Sequence, residues 1–341
     1  MKRPIFVLLP LVSAGMIASA ATTCTYLVSG SRMVLQGDCT TDAPIIVPNG
    51  MTHDGAGHKV TAVDPPGNHF RGAVIQNGGA SANVVDTVIE TAGLADFCQG
   101  GRDSLAGILF DGASGSVSRN VILSTNKGGH QGVRSSCQEG NAIEVINFGS
   151  APGRPLVKID SNKISDYQKT GIVVSGDMDG IVTGNTVIGA GPQGFIGQNG
   201  IQIGSGAYAR VTGNTVTGNS YTGRGTASGG IIVASGPLHK SGYSLGIEIS
   251  SNYLSGNDVG IWLMQTTERG DAPVLPTQIK VVDNVITNDA LTNGAKYQAG
   301  ITAHGNNDTI TGNHISGAGY DPATVRGSTF EIDDYRFNAT H

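Results

Sequence analysis

Residues 181–217 contain two short phrases that recur along most of the chain. They read Ile-Val-Thr-Gly-Asn185-Thr-Val, then a polar glycine-rich insert, then Asn-Gly-Ile201-Gln-Ile, and end with Arg-Val-Thr-Gly-Asn214-Thr-Val. Each asparagine has a β-branched apolar residue three positions before it and an aliphatic residue two positions after it. The asparagine phrase occurs seven times, at Asn120, Asn162, Asn185, Asn214, Asn252, Asn284 and Asn313.

A Gly-Ile pair opens a short apolar run between successive asparagine phrases, with Asn141-Ala-Ile143 in the remaining slot. One cycle takes 23 to 42 residues, a unit too short to bury its own apolar face, so successive copies must stack. Apolar residues two positions apart indicate strands. The pattern therefore predicts an all-β fold, a single-stranded right-handed parallel β-helix with long loop insertions. Its asparagines are expected to stack at one inner corner, as amide ladders do.

The ends and the composition indicate an exported protein. Residues 1–20 combine Lys2 and Arg3, a mostly apolar stretch and Ala18-Ser19-Ala20, which is typical of a secretory signal. No later segment approaches a membrane span of about 18 apolar residues. A net charge of −5 without a basic run argues against nucleic acid. We expect a secreted or periplasmic monomer with a signal peptide (1–20), an N-terminal cap (21–44), the β-helix (45–318) and a C-terminal cap (319–341).

All four cysteines lie beyond the expected cleavage point, and an even number in an exported chain favours disulfides. Cys24 and Cys39 bracket a short segment with turn glycines. Cys98 and Cys137 lie in long polar insertions of neighbouring cycles. We therefore predict the pairs Cys24–Cys39 and Cys98–Cys137.

Residues 48–60 end in Asp54-Gly55-Ala56-Gly57-His58-Lys59-Val60 and resemble the first coil of pectin-lyase-like proteins. The resemblance covers about residues 26–318 and implies the architecture more than the reaction. The catalytic series of polygalacturonase-type hydrolases is missing. Arg154-Pro155 is only a fragment of the pectate lyase signature, and Asp321-Pro322 only a fragment of that of mannuronan epimerases. The resemblance therefore carries over no catalytic residue.

Alternation within the Gly-Ile strands predicts an outward-facing row over which an extended chain could bind. The row contains Glu144, Val173, Gln202, Ile232, Trp262 and Thr302, and Met264 and His304 are expected in the next row. Trp262 is a candidate platform for sugar stacking, with Gln202 and His304 as further binding residues; packing of Trp262 under a loop is the alternative. The groove walls are predicted from residues 123–140, 188–199, 217–229, 287–299, 147–156, 234–246 and 265–278.

Titratable residues concentrate near Cys98 and Cys137, and a bridge between them would place these residues on adjoining coils. The candidate catalytic residues are Asp103, Arg134, Glu139, Glu144, Tyr167 and Lys169. A base beside a cation suits β-elimination of a uronic acid, because the base removes the C5 proton and the cation stabilises the enediolate. Glu139 with Glu144 suits glycoside hydrolysis instead. The competing interpretation is that these charges only solvate long loops.

No metal or cofactor is predicted. His53, His58 and His69 lack zinc spacing and are expected in turns or at the surface. Asp177 and Asp179 are of the residue type that binds calcium, but a plain turn is favoured. Two functions follow from the sequence. One is a carbohydrate-active enzyme, a lyase, hydrolase or epimerase acting on an extracellular polysaccharide. The other is a non-catalytic surface, adhesin-like or carbohydrate-binding protein.

Overall fold

A computed structural model describes residues 22–128, 135–334 and 339–340. The expected signal peptide lies outside these residues. The chain winds into coils, each built from one strand of three sheets, I, II and III, and the strands are numbered along the chain. Short 3₁₀ helices occupy Gly101–Asp103 and Pro237–His239. No helix in the described part of the chain has the length and apolar character needed to span a bilayer.

Each sheet stacks equivalent strands of successive coils. Sheet I contains β1 (Tyr26–Ser29), β2 (Arg32–Leu35), β5 (Met51–Asp54), β8 (Ser81–Val85), β11 (Ser114–Ser118), β14 (Leu156–Asp160), β17 (Asp179–Thr183), β20 (Tyr208–Thr212), β23 (Glu248–Ser250), β26 (Lys280–Val282), β29 (Thr309–Thr311) and β32 (Ala339–Thr340). Sheet II contains β3 (Cys39–Thr41), β6 (Lys59–Ala62), β9 (Val88–Thr91), β12 (Val121–Ile122), β15 (Lys163–Ser165), β18 (Thr186–Gln193), β21 (Thr215–Tyr221), β24 (Tyr253–Ser255), β27 (Val285–Thr287) and β30 (His314–Ser316). Sheet III contains β4 (Ile45–Val47), β7 (Ala73–Asn77), β10 (Ala106–Asp111), β13 (Asn141–Asn147), β16 (Thr170–Gly176), β19 (Asn199–Gly204), β22 (Gly229–Ser235), β25 (Val259–Gln265), β28 (Gln298–Ala303) and β31 (Thr329–Asp334).

The predicted stacking of coils is confirmed. The asparagine phrases form the corner between sheets I and II, and the Gly-Ile phrases form sheet III. Apart from the antiparallel β1–β2 pair, neighbouring strands are parallel. Sheet pairing is not confined to residues 45–318, the bounds expected for the β-helix. Before residue 45, β2 and β3 pair with strands of the next coil. After residue 318, β31 extends sheet III and β32 extends sheet I.

The core is a set of stacked aliphatic columns inside the coils. In sheet III the isoleucines of the Gly-Ile phrases lie in register on successive strands and are fully buried. In the six Gly-Ile pairs the glycine is needed for close approach rather than for a positive φ. A Cβ at Gly200 would collide with Val216 of sheet II, and one at Gly260 would collide with Ile286.

The predicted asparagine ladder is confirmed. Asn185 illustrates each rung: its backbone N–H and its side-chain amide both donate to Asn214 Oδ1, at 2.9 Å. The same pair of bonds joins successive rungs from Asn120 to Asn313. The residue before each rung is left-handed, glycine at Gly184 and serine at Ser161. The left-handed residue turns the chain, and the ladder satisfies the backbone N–H that the corner would otherwise leave unpaired.

The ladder continues towards the N-terminus with other residue types. Thr87 N–H donates to Asn120 Oδ1 at 3.1 Å, and Thr87 Oγ1 lies 3.2 Å from His53 Nδ1. Tyr26 OH lies 3.1 Å from His53 Nε2. The prediction of a turn or surface role for His53 is wrong, because its ring is fully buried, and burial lowers its pKa to about 4.

Both predicted disulfides are confirmed. Cys24–Cys39 closes the first segment, and Cys98–Cys137 joins insertions of neighbouring coils. The second bridge ties the loop before β10 to the loop before β13, both of which lead into sheet III.

Candidate functional site

The predicted groove lies over the outer face of sheet III, where two depressions open. The predicted outward row lies in register, from Glu144 on β13 to Trp262 on β25 and Thr302 on β28. Loops from sheet II lead into one edge of this sheet, and loops from sheet III to sheet I leave from the other. The predicted insertions therefore flank sheet III on both sides.

A central depression of about 230 Å³ opens over β13, β16 and β19. Glu144, Lys169 and Gln202 all line it, together with Asn141. The Glu144 carboxylate accepts a hydrogen bond from Asn141 Nδ2 at 3.2 Å, and Lys169 Nζ donates to Gly197 O at 2.9 Å. Three candidate residues scattered over 59 positions of the sequence thus share one depression.

The two ionisable groups of the central depression have opposite pKa shifts. Burial raises the pKa of the Glu144 carboxyl, only partly opposed by the hydrogen bond from Asn141. Burial lowers the pKa of the Lys169 ammonium. Both pKa values therefore move towards neutrality, the direction that suits an acid–base pair.

A larger depression of about 690 Å³ adjoins the central one towards the N-terminus. We call it the arginine depression, because Arg71 and Arg102 line it. Arg102 Nε lies 2.8 Å from Asp111 Oδ2, and Arg71 Nη1 lies 3.5 Å from Asp103 Oδ2. Asp111 is in register with Ile146, which lines the central depression, so the two depressions are neighbours on one face. Asp103 therefore lies apart from Glu144 and Lys169.

Glu139 is sealed inside the protein. Its carboxylate accepts the N–H groups of Gln99 and Leu105 at 2.8 and 2.6 Å and pairs with Lys127 Nζ at 2.8 Å. Both side chains of the pair are at most 1% exposed, so Glu139 cannot contact a substrate outside. The prediction of Glu139 as a catalytic residue is therefore wrong, and Glu139 instead holds the segment around Cys98. The predicted pair of Glu139 and Glu144 for glycoside hydrolysis is wrong for the same reason.

Tyr167 is also buried, and its hydroxyl donates to Asn219 Oδ1. Burial raises the pKa of Tyr167 far above its usual value. A catalytic contact by Tyr167 is therefore contradicted as well. Arg134 lies outside the described residues.

Trp262 and His304 lie towards the C-terminal end of the same face. Trp262 is half-buried, and the next residue of its row, Thr302, bonds to Tyr297 OH at 2.8 Å. Tyr297 OH also donates to Asp333 Oδ2 at 2.7 Å. Burial lowers the pKa of His304, opposed by the nearby carboxylate of Asp333. These residues lie about 19 Å or more from Glu144, four coils away, so a stacking role for Trp262 stays a prediction.

Within the described residues, one group of three side chains has the spacing to hold a metal, and its two cysteines form a disulfide. Asp96 lies beside Cys98 and Cys137, whose sulfurs are bonded to each other. Arg154 lies 3.7 Å from Asp177 and 2.8 Å from Asp179, in support of a plain turn there.

Asn141 and Arg71 were not predicted as site residues. Asn141 was visible as the residue three positions before Glu144, a spacing repeated by Asn199 and Gln202. Arg71 had no comparable signal, because it lies in a loop whose position depends on the coil before it.

The sequence model of a protein family, described as the right-handed β-helix region, matches residues 106–337 of this chain. The chain belongs to the right-handed β-helix family. Among solved structures, it is similar to the Dettilon tailspike protein gp208, at 15% identity and a TM-score of 0.43, over 89% of this chain and 61% of that chain. It is also similar to the A-module of mannuronan C-5 epimerase AlgE6 from Azotobacter vinelandii, at 12% identity and a TM-score of 0.40, over 91% and 86% of the two chains. The chain thus spans less than two thirds of the tailspike protein. Comparison with curated proteins gives no match.

Proposed function

We propose that the protein is an exported enzyme that cleaves an acidic polysaccharide by β-elimination in the groove over sheet III. The observation that carries this proposal is the pair Glu144 and Lys169, whose pKa values are shifted towards each other in one depression. The two disulfides support export, since such bonds persist in oxidising compartments.

The chemistry assigns one role to each group. Glu144 as carboxylate takes the C5 proton of a uronate, and its raised pKa makes it a stronger base. The C5–H electron pair forms the C4–C5 double bond as the C4–O4 bond breaks. Lys169 as ammonium protonates the departing O4, and its lowered pKa makes it a stronger acid.

The arginine depression offers two guanidinium groups to an acidic substrate, beside the carboxylates of Asp103 and Asp111 that line it too. Arg71 and Arg102 present planar guanidinium groups, which match carboxylate geometry, on the coils before Glu144. Asp103 and Asp111 hold these guanidinium groups in place. The bound uronate chain would continue from this depression into the central one.

The test is turnover on a panel of uronic-acid polysaccharides, read as ultraviolet absorbance of unsaturated products and as reducing-end release. Glu144→Gln and Lys169→Met should each lower kcat by about 100-fold or more, in the range of general acid–base catalysis. The wild-type pH profile should be a bell, with Glu144 setting the acid limb and Lys169 the alkaline limb. Lys158→Met is the matched control, because Lys158 is exposed on sheet I.

A non-catalytic carbohydrate-binding protein is the second candidate. The observation that favours it is that Glu144 and Lys169 both have partners within the protein, Asn141 and the carbonyl of Gly197. Binding without turnover on every polysaccharide of the panel would establish this second function and refute the elimination mechanism.

A further inference from the structure

From β7 to β22 the outward row over sheet III alternates between polar and apolar residues with a period of two coils, and the alternation ends at Trp262 and Thr302. Gln76, Glu144 and Gln202 are partly exposed, and they lie in register two coils apart. The residues between and beyond them, Leu109, Val173 and Ile232, are only 5 to 6% exposed. Between β7 and β22 the floor therefore repeats every second coil, although the backbone repeats with every coil.

Two of the polar coils carry the same pair of side chains. Asn141 Nδ2 donates to Glu144 Oε2 at 3.2 Å, and Asn199 Nδ2 donates to Gln202 Oε1 at 3.3 Å. Each asparagine lies three residues before its partner, at the start of β13 and of β19. We call these the first and second amide pairs. The coil between them has Thr170 and Val173 at the corresponding positions and lacks such a pair.

The spacing of the two pairs matches the symmetry of one class of polysaccharide. Coils are about 4.8 Å apart, so equivalent atoms of the two pairs lie roughly 10 Å apart along the axis. One pyranose advances an extended chain by close to one coil spacing. In a β-1,4-linked chain with a two-fold screw, successive sugars turn over, and every second sugar presents the same edge. Such a chain would offer the same hydroxyls to both amide pairs.

We infer that the two amide pairs recognise alternate residues of an extended β-1,4-linked uronate chain, with one sugar over each coil. This inference rests on the proposed function and names its substrate class. The turned sugar lies over Val173, whose side chain has no hydrogen-bonding group. Glu144 belongs to the first pair and is also the catalytic base. Gln202 occupies the equivalent position in the second pair, and its side chain does not ionise. The second pair thus binds without taking part in proton transfer.

The experiment measures affinity against chain length by titration calorimetry. The host is Glu144→Gln, which prevents cleavage and makes both pairs Asn with Gln. The probes are β-1,4-linked oligomannuronates of two to six residues, and α-1,4-linked oligogalacturonates of the same lengths serve as the series of different linkage. A three-residue probe is the shortest that reaches both pairs. We expect affinity in the β-1,4 series to rise about tenfold between two and three residues, and less at each later step.

Variants of the second pair, made in the same host, test the assignment. Asn199→Ala and Gln202→Ala should each remove most of the step between two and three residues and leave the affinity of the two-residue probe within about twofold. Asn83→Ala, an outward-facing asparagine of sheet I, is the matched control. In the wild-type background, Gln202→Ala should raise KM and leave the bell-shaped pH profile unchanged.

The possible failures separate the two proposals. Suppose that the protein turns over or binds uronate chains. An equal gain in affinity for each added sugar, or the same step with α-1,4-linked probes, then refutes the two-coil recognition alone. Silent Asn199→Ala and Gln202→Ala variants refute it as well. Absence of both turnover and binding with every uronate chain refutes the proposed function and this inference together.

Discussion

Replacing Asn214 by leucine removes one rung from the middle of the asparagine ladder. Its side-chain oxygen accepts the backbone N–H and the side-chain amide of Asn185, both at 2.9 Å. Its own amide donates to Val182 O at 2.9 Å. The site is 1% exposed, so water cannot readily replace these partners.

The expected cost follows from the groups that lose their partners. The side-chain amide of Asn185 keeps its bonds to Ile159 O and Thr183 O and adds little. The backbone N–H of Asn185 loses its acceptor in the buried corner. One buried unsatisfied group costs about 1–3 kcal/mol, and we expect Asn214→Leu to lower the free energy of unfolding by that amount.

Denaturant unfolding measures this change as a lower midpoint at an unchanged slope. Asn313→Leu is the control, because Asn313 is the last rung of the ladder and is partly exposed. Water can replace its bond to the Asn284 N–H, so the loss should be less than half as large. An Asn214→Leu variant as stable as wild type, or an equal loss for both variants, would refute the structural role of the ladder.

Two further predictions concern the bridge between insertions and the response to pH. Cys98→Ser combined with Cys137→Ser should lower the melting temperature only modestly, because Glu139 and Lys127 still hold the segment. The affinity for uronate oligosaccharides should fall sharply. Global unfolding with unchanged affinity per folded molecule would contradict this prediction. Burial raises the pKa of Asp308 to about 6, whereas an unfolded aspartate titrates near about 3.9. The folded state therefore binds the Asp308 proton more tightly than the unfolded state. Protonation of Asp308 stabilises the fold increasingly as the pH falls from about 6 to about 4, and this stabilisation is lost as the pH rises through that window. In Asp308→Asn this increase should disappear from urea midpoints measured across that range, and an identical pH dependence in both proteins would refute it.

Part of the candidate site could be predicted from the sequence, because strand alternation extends to the outer face of sheet III. Glu144, Gln202 and Trp262 were placed correctly on that face, since each follows a Gly-Ile or equivalent phrase at a constant offset. Lys169 was found less directly, from its place just before β16. The arginine depression was not foreseen as a cavity, because loop side chains from several coils form it.

The coils, the ladder and both disulfides could be predicted from the sequence alone. The coils and the ladder follow from a local repeat, because stacked copies of the repeat contact one another. The disulfides follow from the number and spacing of the cysteines. Which charged side chains face outward over sheet III depends on the folded coils. Glu144 lies on a strand and faces outward by alternation, whereas Glu139, in an insertion five residues earlier, turns inward to bind Leu105 N–H and Lys127. A loop has no periodicity, so the direction of its side chains depends on partners that only the folded neighbouring coils supply.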